Sequence, residues 1–269
     1  MKYMIDLQNI TYRREQNELL RGIDWQVRPR EHWAILGLNG SGKTTMLNIV
    51  NGYIWPTTGK VSVLGHAYGE VDLRELRMSI GWVSLSLQEK LYPTDKAEQI
   101  VVSGKYATIG LYEKPDEQDW ERAMQLMEQM RCMHLKGRQY QTCSQGEKQK
   151  LLIARALMSS PKLLILDEPC NGLDLFSREA LLEAIDQLAQ SPDAPTLLYV
   201  THHTEEILPI FQHALLLRRG EVFASGRVSE VLTEPSLSSF FESPVEVLNR
   251  EDRIWVLPKQ TRHELLARK

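Results

Sequence analysis

The sequence predicts an α/β fold: a helix-covered parallel sheet with an antiparallel β subdomain and an inserted helical subdomain. Three observations carry that expectation. Short apolar runs are followed by helix-patterned segments, as Thr44 to Val50 follows the run at Trp33 and Arg178 to Leu188 follows the run at Leu163. Strand then helix, repeated, gives a parallel sheet with both faces covered. The early runs are instead separated by short turns such as Arg28-Pro29-Arg30, which suits antiparallel pairing. From about Leu87 to Met158 the strand pattern fades and helical spacing takes over.

Taken in order, the strands are Ile23/Trp25/Val27, Trp33 to Leu36, Val61/Val63, Ile80 to Val83, Leu163 to Leu166, Leu197 to Val200 and Leu215 to Leu217. In the helical stretch, Trp120, Ala123, Met124, Met127 and Met130 share one face, and Asp116 follows Pro115 where it can cap the helix start. Such a methionine stripe reads as core packing, not as a cofactor box. The segment 143–149 opens an apolar helix from Lys150 to Met158. Near the end, Val245 to Leu248 and Ile254 to Leu257 flank the polar turn Asn249 to Asp252, a hairpin pattern, and Lys259 to Lys269 reads as a frayed or helical tail. The expected organisation is one main domain over 1–235, with the helical subdomain at 87–158, and a small extension over 236–269.

Composition bounds the function classes. The 269 residues carry 32 Lys plus Arg against 35 Asp plus Glu, a formal charge of -3, with 42% hydrophobic and 25% charged residues. These are globular proportions, long enough for a full core. The balance lacks the basic footprint of a dedicated nucleic-acid binder, so no nucleic-acid partner is expected. Cys132, Cys143 and Cys170 show no metal spacing and indicate a reducing compartment. No apolar run is long enough to span a bilayer, and Asp6 falls where a signal peptide needs apolar residues, so export is not expected.

Gly37-Leu38-Asn39-Gly40-Ser41-Gly42-Lys43-Thr44 fits G-x-x-x-x-G-K-[ST] between an apolar strand and a helix. The glycines let backbone N–H groups wrap a polyphosphate, and the helix beginning near Lys43 adds its positive end. Gly37, Asn39, Gly40, Ser41, Gly42, Lys43, Thr44 and Thr45 are therefore candidate nucleotide contacts. Lys43 reaches the β and γ phosphates, and Thr44 is a candidate Mg²⁺ ligand. Leu163-Leu164-Ile165-Leu166-Asp167-Glu168 is a buried-type strand ending in two acids. Neighbouring strand residues face opposite ways, so the tasks divide: Asp167 for Mg²⁺, Glu168 as the base that orients and deprotonates water.

Cys143-Ser144-Gln145-Gly146-Glu147 precedes the carboxylate strand and resembles the Leu-Ser-Gly-Gly-Gln signature of the ATP-binding cassette (ABC) ATPases. Ser144 and Gly146 match; the first, third and fifth positions depart. The resemblance implies a P-loop NTPase core of RecA-like type and a head-to-tail dimer, in which Ser144 and Gly146 of one chain cap the γ phosphate held by another. It implies that Asp174 of Asn171-Gly172-Leu173-Asp174 links the two sites and that His202 of Val200-Thr201-His202 bonds the γ phosphate. The pair His202-His203 is not read as a metal site, because adjacent strand residues diverge. After Ile80-Gly81-Trp82-Val83 the family's glutamine position holds Leu85, with Gln88 three residues on. The adenine-stacking aromatic is replaced by Arg14, with Tyr12 two residues before it on the same face if the strand alternates.

The segments Glu31 to Leu36 and Thr201 to Ile207 further resemble bacterial molybdate or metal-ion import cassettes. The resemblance implies an ATPase subunit at the cytoplasmic face of the membrane, paired as a homodimer or with a second cassette. Separate integral membrane permease subunits would dock near Leu85 to Tyr92. The alternative is a soluble ABC ATPase in repair or translation, whose usual second cassette or long coiled coil this chain lacks. A degenerate cassette that binds ATP without turnover is opposed by Lys43, Asp167, Glu168 and His202.

Overall fold

The computed structural model describes residues 2–259, so the expected tail from residue 260 onward lies outside the described residues. The chain divides into two compact units, one built from the segments before Gly69 and after Leu198, the other from Gly69–Leu198.

The first unit begins with β1 (Ile5–Arg14), β2 (Asn17–Val27) and β3 (Trp33–Leu36), then α1 (Lys43–Val50), β4 (Thr58–Val63) and β5 (His66–Ala67). Strands β2-β1-β4-β5 form the antiparallel sheet. Its core face follows alternation: Ile5 and Leu7 on β1, with Ile23, Trp25 and Val27 on β2, are buried. Strand β3 is buried along its whole length, as a strand covered on both faces must be.

The second unit contains α2 (Leu73–Met78), β6 (Ile80–Val83), α3 (Leu85–Gln88), α4 (Ala97–Val102), α5 (Glu117–Gln129), α6 (Gln145–Leu157), β7 (Leu163–Asp167) and α7 (Leu175–Ala189). Strands β6 and β7 pair in parallel. Ala123, Met127 and Met130 are fully buried, whereas Trp120 and Met124 lie half-buried at the edge of the stripe. Asp116 caps α5 by accepting from Asp119 N at 2.8 Å. Asp119 in turn accepts from Lys105 Nζ at 2.6 Å, Tyr106 Oη at 3.2 Å and Asp116 N at 3.1 Å. The turn at Gly104 crosses α6 so closely that a Cβ there would sit 1.9 Å from the Arg155 carbonyl oxygen. Arg155 fastens that crossing with bonds to Ser103 Oγ at 3.2 Å and the Thr108 carbonyl at 2.9 Å.

Strand β8 (Thr196–Thr201) carries the chain back to the first unit, which closes with β9 (His213–Arg218), β10 (Glu221–Arg227), α8 (Val228–Val231), α9 (Glu234–Phe240), β11 (Val245–Arg250) and β12 (Arg253–Pro258). Strand β9 runs parallel to β3 and antiparallel to β10. Trp33 stacks on His213 with ring centroids 5.0 Å apart and meets Trp25 edge-on at 5.6 Å. Arg218 sits 4.4 Å over the Phe223 ring and donates to the Ser239 carbonyl at 2.7 Å, a cation at the end of α9 where the helix dipole favours one. Strands β11 and β12 form a hairpin, and β12 packs against the turn Thr204–Glu206. Among the described residues no helix is long and apolar enough to cross a membrane.

Candidate active site

In the first unit, the loop between β3 and α1 is a backbone cradle. Gly40 and Gly42 hold φ of 78° and 106°, a region that side chains with a Cβ rarely adopt. Gly37 is required by space: a Cβ there would lie 2.4 Å from Ser41 Oγ and 2.8 Å from the Leu217 carbonyl oxygen. Lys43, the first residue of α1, turns back so that its buried Nζ donates to the Gly37 carbonyl at 2.6 Å and to the Leu38 carbonyl at 3.3 Å. Ser41 is buried, and its hydroxyl has no hydrogen-bond partner among the described residues. Thr44 and Thr45 follow on the first turn of α1, while Asn39 and Gly40 are exposed at the loop's rim. A buried donor without a partner, free loop glycines and a helix start together fit a bound phosphate chain.

The cradle has a floor that sequence motifs did not reveal. Gly220, in the turn between β9 and β10, donates its N–H to the Ser41 carbonyl at 2.9 Å and accepts from Arg21 N at 2.8 Å. Its φ is 81°, and a Cβ would stand 2.6 Å from the Leu19 carbonyl oxygen. Gly42 likewise leaves room for Leu20, which a Cβ would approach to 2.8 Å. The phosphate loop is therefore pinned between β2 and the β9–β10 turn.

His202 follows the end of β8. The divergence expected of His202 and His203 assumed a continuing strand, but β8 ends at Thr201 and the two rings lie 4.1 Å apart, tilted by 41°. Buried Glu206 organises this turn by accepting from Thr201 Oγ1 at 2.7 Å and Tyr199 Oη at 3.0 Å. Thr201 Oγ1 accepts from His203 N at 3.0 Å. The Glu206 clamp was not foreseen; its signal was a carboxylate close behind a strand threonine. No group of three or more His, Cys, Asp or Glu able to hold a metal occurs among the described residues.

The candidate adenine contacts lie on β1. The strand's register shifts between Ile10 and Tyr12 and again between Tyr12 and Arg13. At both shifts the extra residue lies on β2, so β1 itself runs on through Tyr12, Arg13 and Arg14 without an inserted residue. Tyr12 is half-buried opposite Leu20, and Arg14 is exposed opposite Asn17 at the strand end.

In the second unit, β7 ends on Asp167, and Glu168 stands outside the strand with φ of 50°. Left-handed backbone at a glutamate is strained and is held here by the following turn, in which Asn171 N donates to the Glu168 carbonyl at 3.1 Å. The two carboxylates are thus separated by a change of backbone conformation, and not by the strand alternation that the sequence suggested.

Helix α6 begins at Gln145, within the segment 143–149 that the sequence gives as its opening, and Ser144 forms a complete cap. Ser144 Oγ accepts from Glu147 N at 3.3 Å, and Ser144 N donates to Glu147 Oε2 at 2.7 Å. Partial burial pushes the Glu147 carboxyl up, but the Ser144 backbone N–H, the His134 ring, the Ser144 hydroxyl and the Arg138 guanidinium outweigh it and hold the group below its ordinary value. Glutamate at the fifth signature position is therefore a structural cap. Gly146 lets α7 approach: a Cβ would lie 3.1 Å from Ser177 Cβ. Asp174 caps α7, accepting from Ser177 N at 3.0 Å and Ser177 Oγ at 2.6 Å. Leu175 and Phe176 beside it are 57% and 82% exposed.

The loop after β6 also departs from expectation. Leu85 is 51% and Tyr92 45% exposed, but Leu91 is only 4% exposed, because it turns into the core and is withdrawn from any docking face. Gln88 bonds to Gln145 and Gln149 of α6.

Comparison with known proteins adds the family. The sequence profile described as ABC transporter matches residues 20–171. An uncharacterized ABC transporter ATP-binding protein, YlmA of Bacillus subtilis, is 51% identical over 93% of this chain and 95% of its own. The molybdate import ATP-binding protein MolC of Haemophilus influenzae is 30% identical over 87% of this chain and 86% of its own. A metal-chelate type ABC transporter solved in an inward-facing conformation superposes with a TM-score of 0.80 at 27% identity, over 97% of this chain and 98% of that one. With the phosphate loop, carboxylate strand and capped signature helix in place, the chain belongs to the ABC transporter family, with the P-loop NTPase fold, as an ATP-binding subunit that hydrolyses ATP.

Proposed function

We propose that this chain is the ATPase subunit of an importer, in which two copies close around two ATP molecules and drive separate integral membrane permease subunits. The observation that carries the nucleotide site is the phosphate cradle, where the buried Ser41 hydroxyl has no partner among the described residues, the Lys43 ammonium is turned back into the loop, and Gly40 and Gly42 hold backbone that side chains rarely adopt. On this reading Gly37, Asn39, Gly40, Ser41, Gly42, Thr44 and Thr45 wrap the phosphates, and Lys43 neutralises charge on the β and γ groups. Tyr12 or Arg14 covers the base. Thr44 and Asp167 hold Mg²⁺, which supplies positive charge to the phosphate oxygens; two protein oxygens suit an ion that otherwise keeps waters and phosphate ligands.

Glu168 accepts a proton from water as the water oxygen bonds to the γ phosphorus and the bond to the β–γ bridging oxygen breaks. His202, steadied by the Glu206 clamp, donates to the γ phosphate. Ser144 and Gly146 of the second copy cap the same phosphate from the opposite side. Dimer closure is supported by Leu175 and Phe176, two large apolar side chains exposed beside Asp174. Pairing with a second cassette in place of a second copy uses the same surface. Import is supported by the resemblance to molybdate import subunits. The chain then works as a peripheral protein on the cytoplasmic face, with 1–235 as its ATPase domain, 87–158 as its helical subdomain and 236–269 as an added extension.

Glu168→Gln tests the mechanism. The variant is expected to retain ATP binding and to form an ATP-dependent dimer in gel filtration, with turnover lowered by at least about a hundredfold. Turnover within tenfold of the parent removes Glu168 as the base. A variant that binds ATP but stays monomeric removes the sandwich.

A further inference from the structure

The two departures from the family pattern meet in space. Gln88, the last residue of α3, donates to Gln145 Oε1 at 2.9 Å, and Gln145 Nε2 donates back to Gln88 Oε1 at 3.0 Å. Gln149, one turn further along α6, adds a bond from its Nε2 to Gln88 Oε1 at 3.1 Å. Gln145 stands where the signature pattern has glycine, and Gln88 lies three residues beyond the position where the pattern has glutamine. An amide pair of this kind is self-complementary: each side chain offers one donor and one acceptor, and turning both over reproduces the same two bonds. Gln149 is 3% exposed, and its Oε1 has no partner among the described residues, so the bond from its Nε2 to Gln88 is the one hydrogen bond of that side chain among them.

The clasp joins two segments of different character. Ser144, directly before Gln145, is tied into the helix cap by Glu147. Helix α3, by contrast, has four residues and none of them is buried. Between Ser84 and Leu91 the segment also has backbone bonds of 3.1–3.3 Å within the turn and a bond between the Ser84 and Ser86 hydroxyls at 3.1 Å, and buried Ser84 and Leu91 anchor its two ends. Between those two anchors, Gln88 is the side chain of this short surface helix that hydrogen-bonds to α6.

Resting on the sandwich reading above, we infer that the Gln88–Gln145–Gln149 clasp is the coupling element of this subunit. It carries the state of the nucleotide capped by Ser144 to the segment Leu85 to Tyr92 of the same chain. Gln88 and Gln145 are positioning residues: they touch no reacting atom, and they set where the exposed segment lies when the signature helix engages ATP. Glycine at position 145 has no side chain with which to make this link, so the two departures depend on each other.

The test uses the full chain carrying Glu168→Gln, with Mg²⁺-ATP as the probe, and reads amide hydrogen exchange across Leu85 to Tyr92 by mass spectrometry. ATP is expected to slow exchange in this segment at least about tenfold. Adding Gln145→Leu is expected to leave the ATP-dependent dimer intact on gel filtration while the exchange response of the segment falls to within about twofold of the nucleotide-free rate. Gln88→Leu, on the exposed side of the clasp, reaches the same result from a position that α6 does not need in order to fold. The double variant is expected to be no worse than either single one, as for two groups that act only through each other. A dimer that keeps the tenfold response without the clasp overturns the inference and leaves the sandwich standing. Failure of the parent Glu168→Gln protein to dimerise overturns both.

Discussion

Gly220 does for the phosphate loop what no motif residue does: it holds the loop from beneath, through its bond to the Ser41 carbonyl. Alanine there must adopt φ of 81° and bring its Cβ toward the Leu19 carbonyl, which stands 2.6 Å from the ideal position. Strain of this kind is worth about 1–3 kcal/mol. Gly220→Ala is therefore expected to lower unfolding free energy by about that amount in urea titrations. ATP affinity measured by fluorescent analogue binding should weaken roughly tenfold, equivalent to about 1.4 kcal/mol. Unchanged affinity would show that the floor does not shape the cradle. Gly37, Gly40 and Gly42 could be picked out in the sequence because their spacing is local. Gly220 could not, since its reason for being glycine is the Leu19 carbonyl of β2, far back in the chain. The Glu206 clamp and the Gln88–Gln145 pair were hidden for the same reason: each is a contact between segments whose proximity only the fold creates.

Helices were read from the sequence where a cap and a periodic face agree. Asp116 and the stripe at Ala123, Met127 and Met130 announce α5, and the structure buries those three residues. Helix α6 shows an apolar period only from Lys150, since Gln145, Gly146 and Glu147 carry none, and it is the capping box at Ser144 that marks its start. Strands fared likewise. Continuous apolar runs gave β3, β7 and β8, whereas β10, exposed or half-buried along its length, offers no alternation to read. Within the helical stretch, Asp119 links α5 to the turn before it. The hydrogen bond from Lys105 is the largest influence holding its carboxyl below the ordinary value; burial opposes it, and Asp116 N, the Lys105 charge and Tyr106 reinforce it. A depressed carboxyl stabilises the fold fully above its unfolded value, near pH 4, and loses that contribution as pH falls through the folded value. Asp119→Asn is therefore expected to be less stable than the parent by a constant margin between about pH 5 and pH 8, and the margin should close in more acid solution. Thermal melts across that range check it. A margin that widens on acidification would mean that the charge of Asp119 is not what stabilises the joint.

For the chain as a whole, family membership fixes ATP as the ligand, but association with a second copy is decided by surface chemistry. Phe176 is 82% exposed next to the Asp174 cap, and its neighbour Leu175 is 57% exposed. Isolated apolar side chains on a surface are ordinary; two adjacent ones beside a loop expected to bridge active sites are the anchors an interface needs. Phe176→Glu is expected to raise the dissociation constant of the ATP-bound Glu168→Gln dimer at least about tenfold, measured by analytical ultracentrifugation. Nucleotide binding to the monomer should be unaffected. An unchanged dimer would place the interface elsewhere.

The β11–β12 hairpin brings Trp255 onto the strand that packs against Thr204–Glu206, two residues after His202. An indole so placed is a built-in optical sensor. With the other five tryptophans replaced by phenylalanine, its emission becomes a label-free report on the surroundings of the histidine turn.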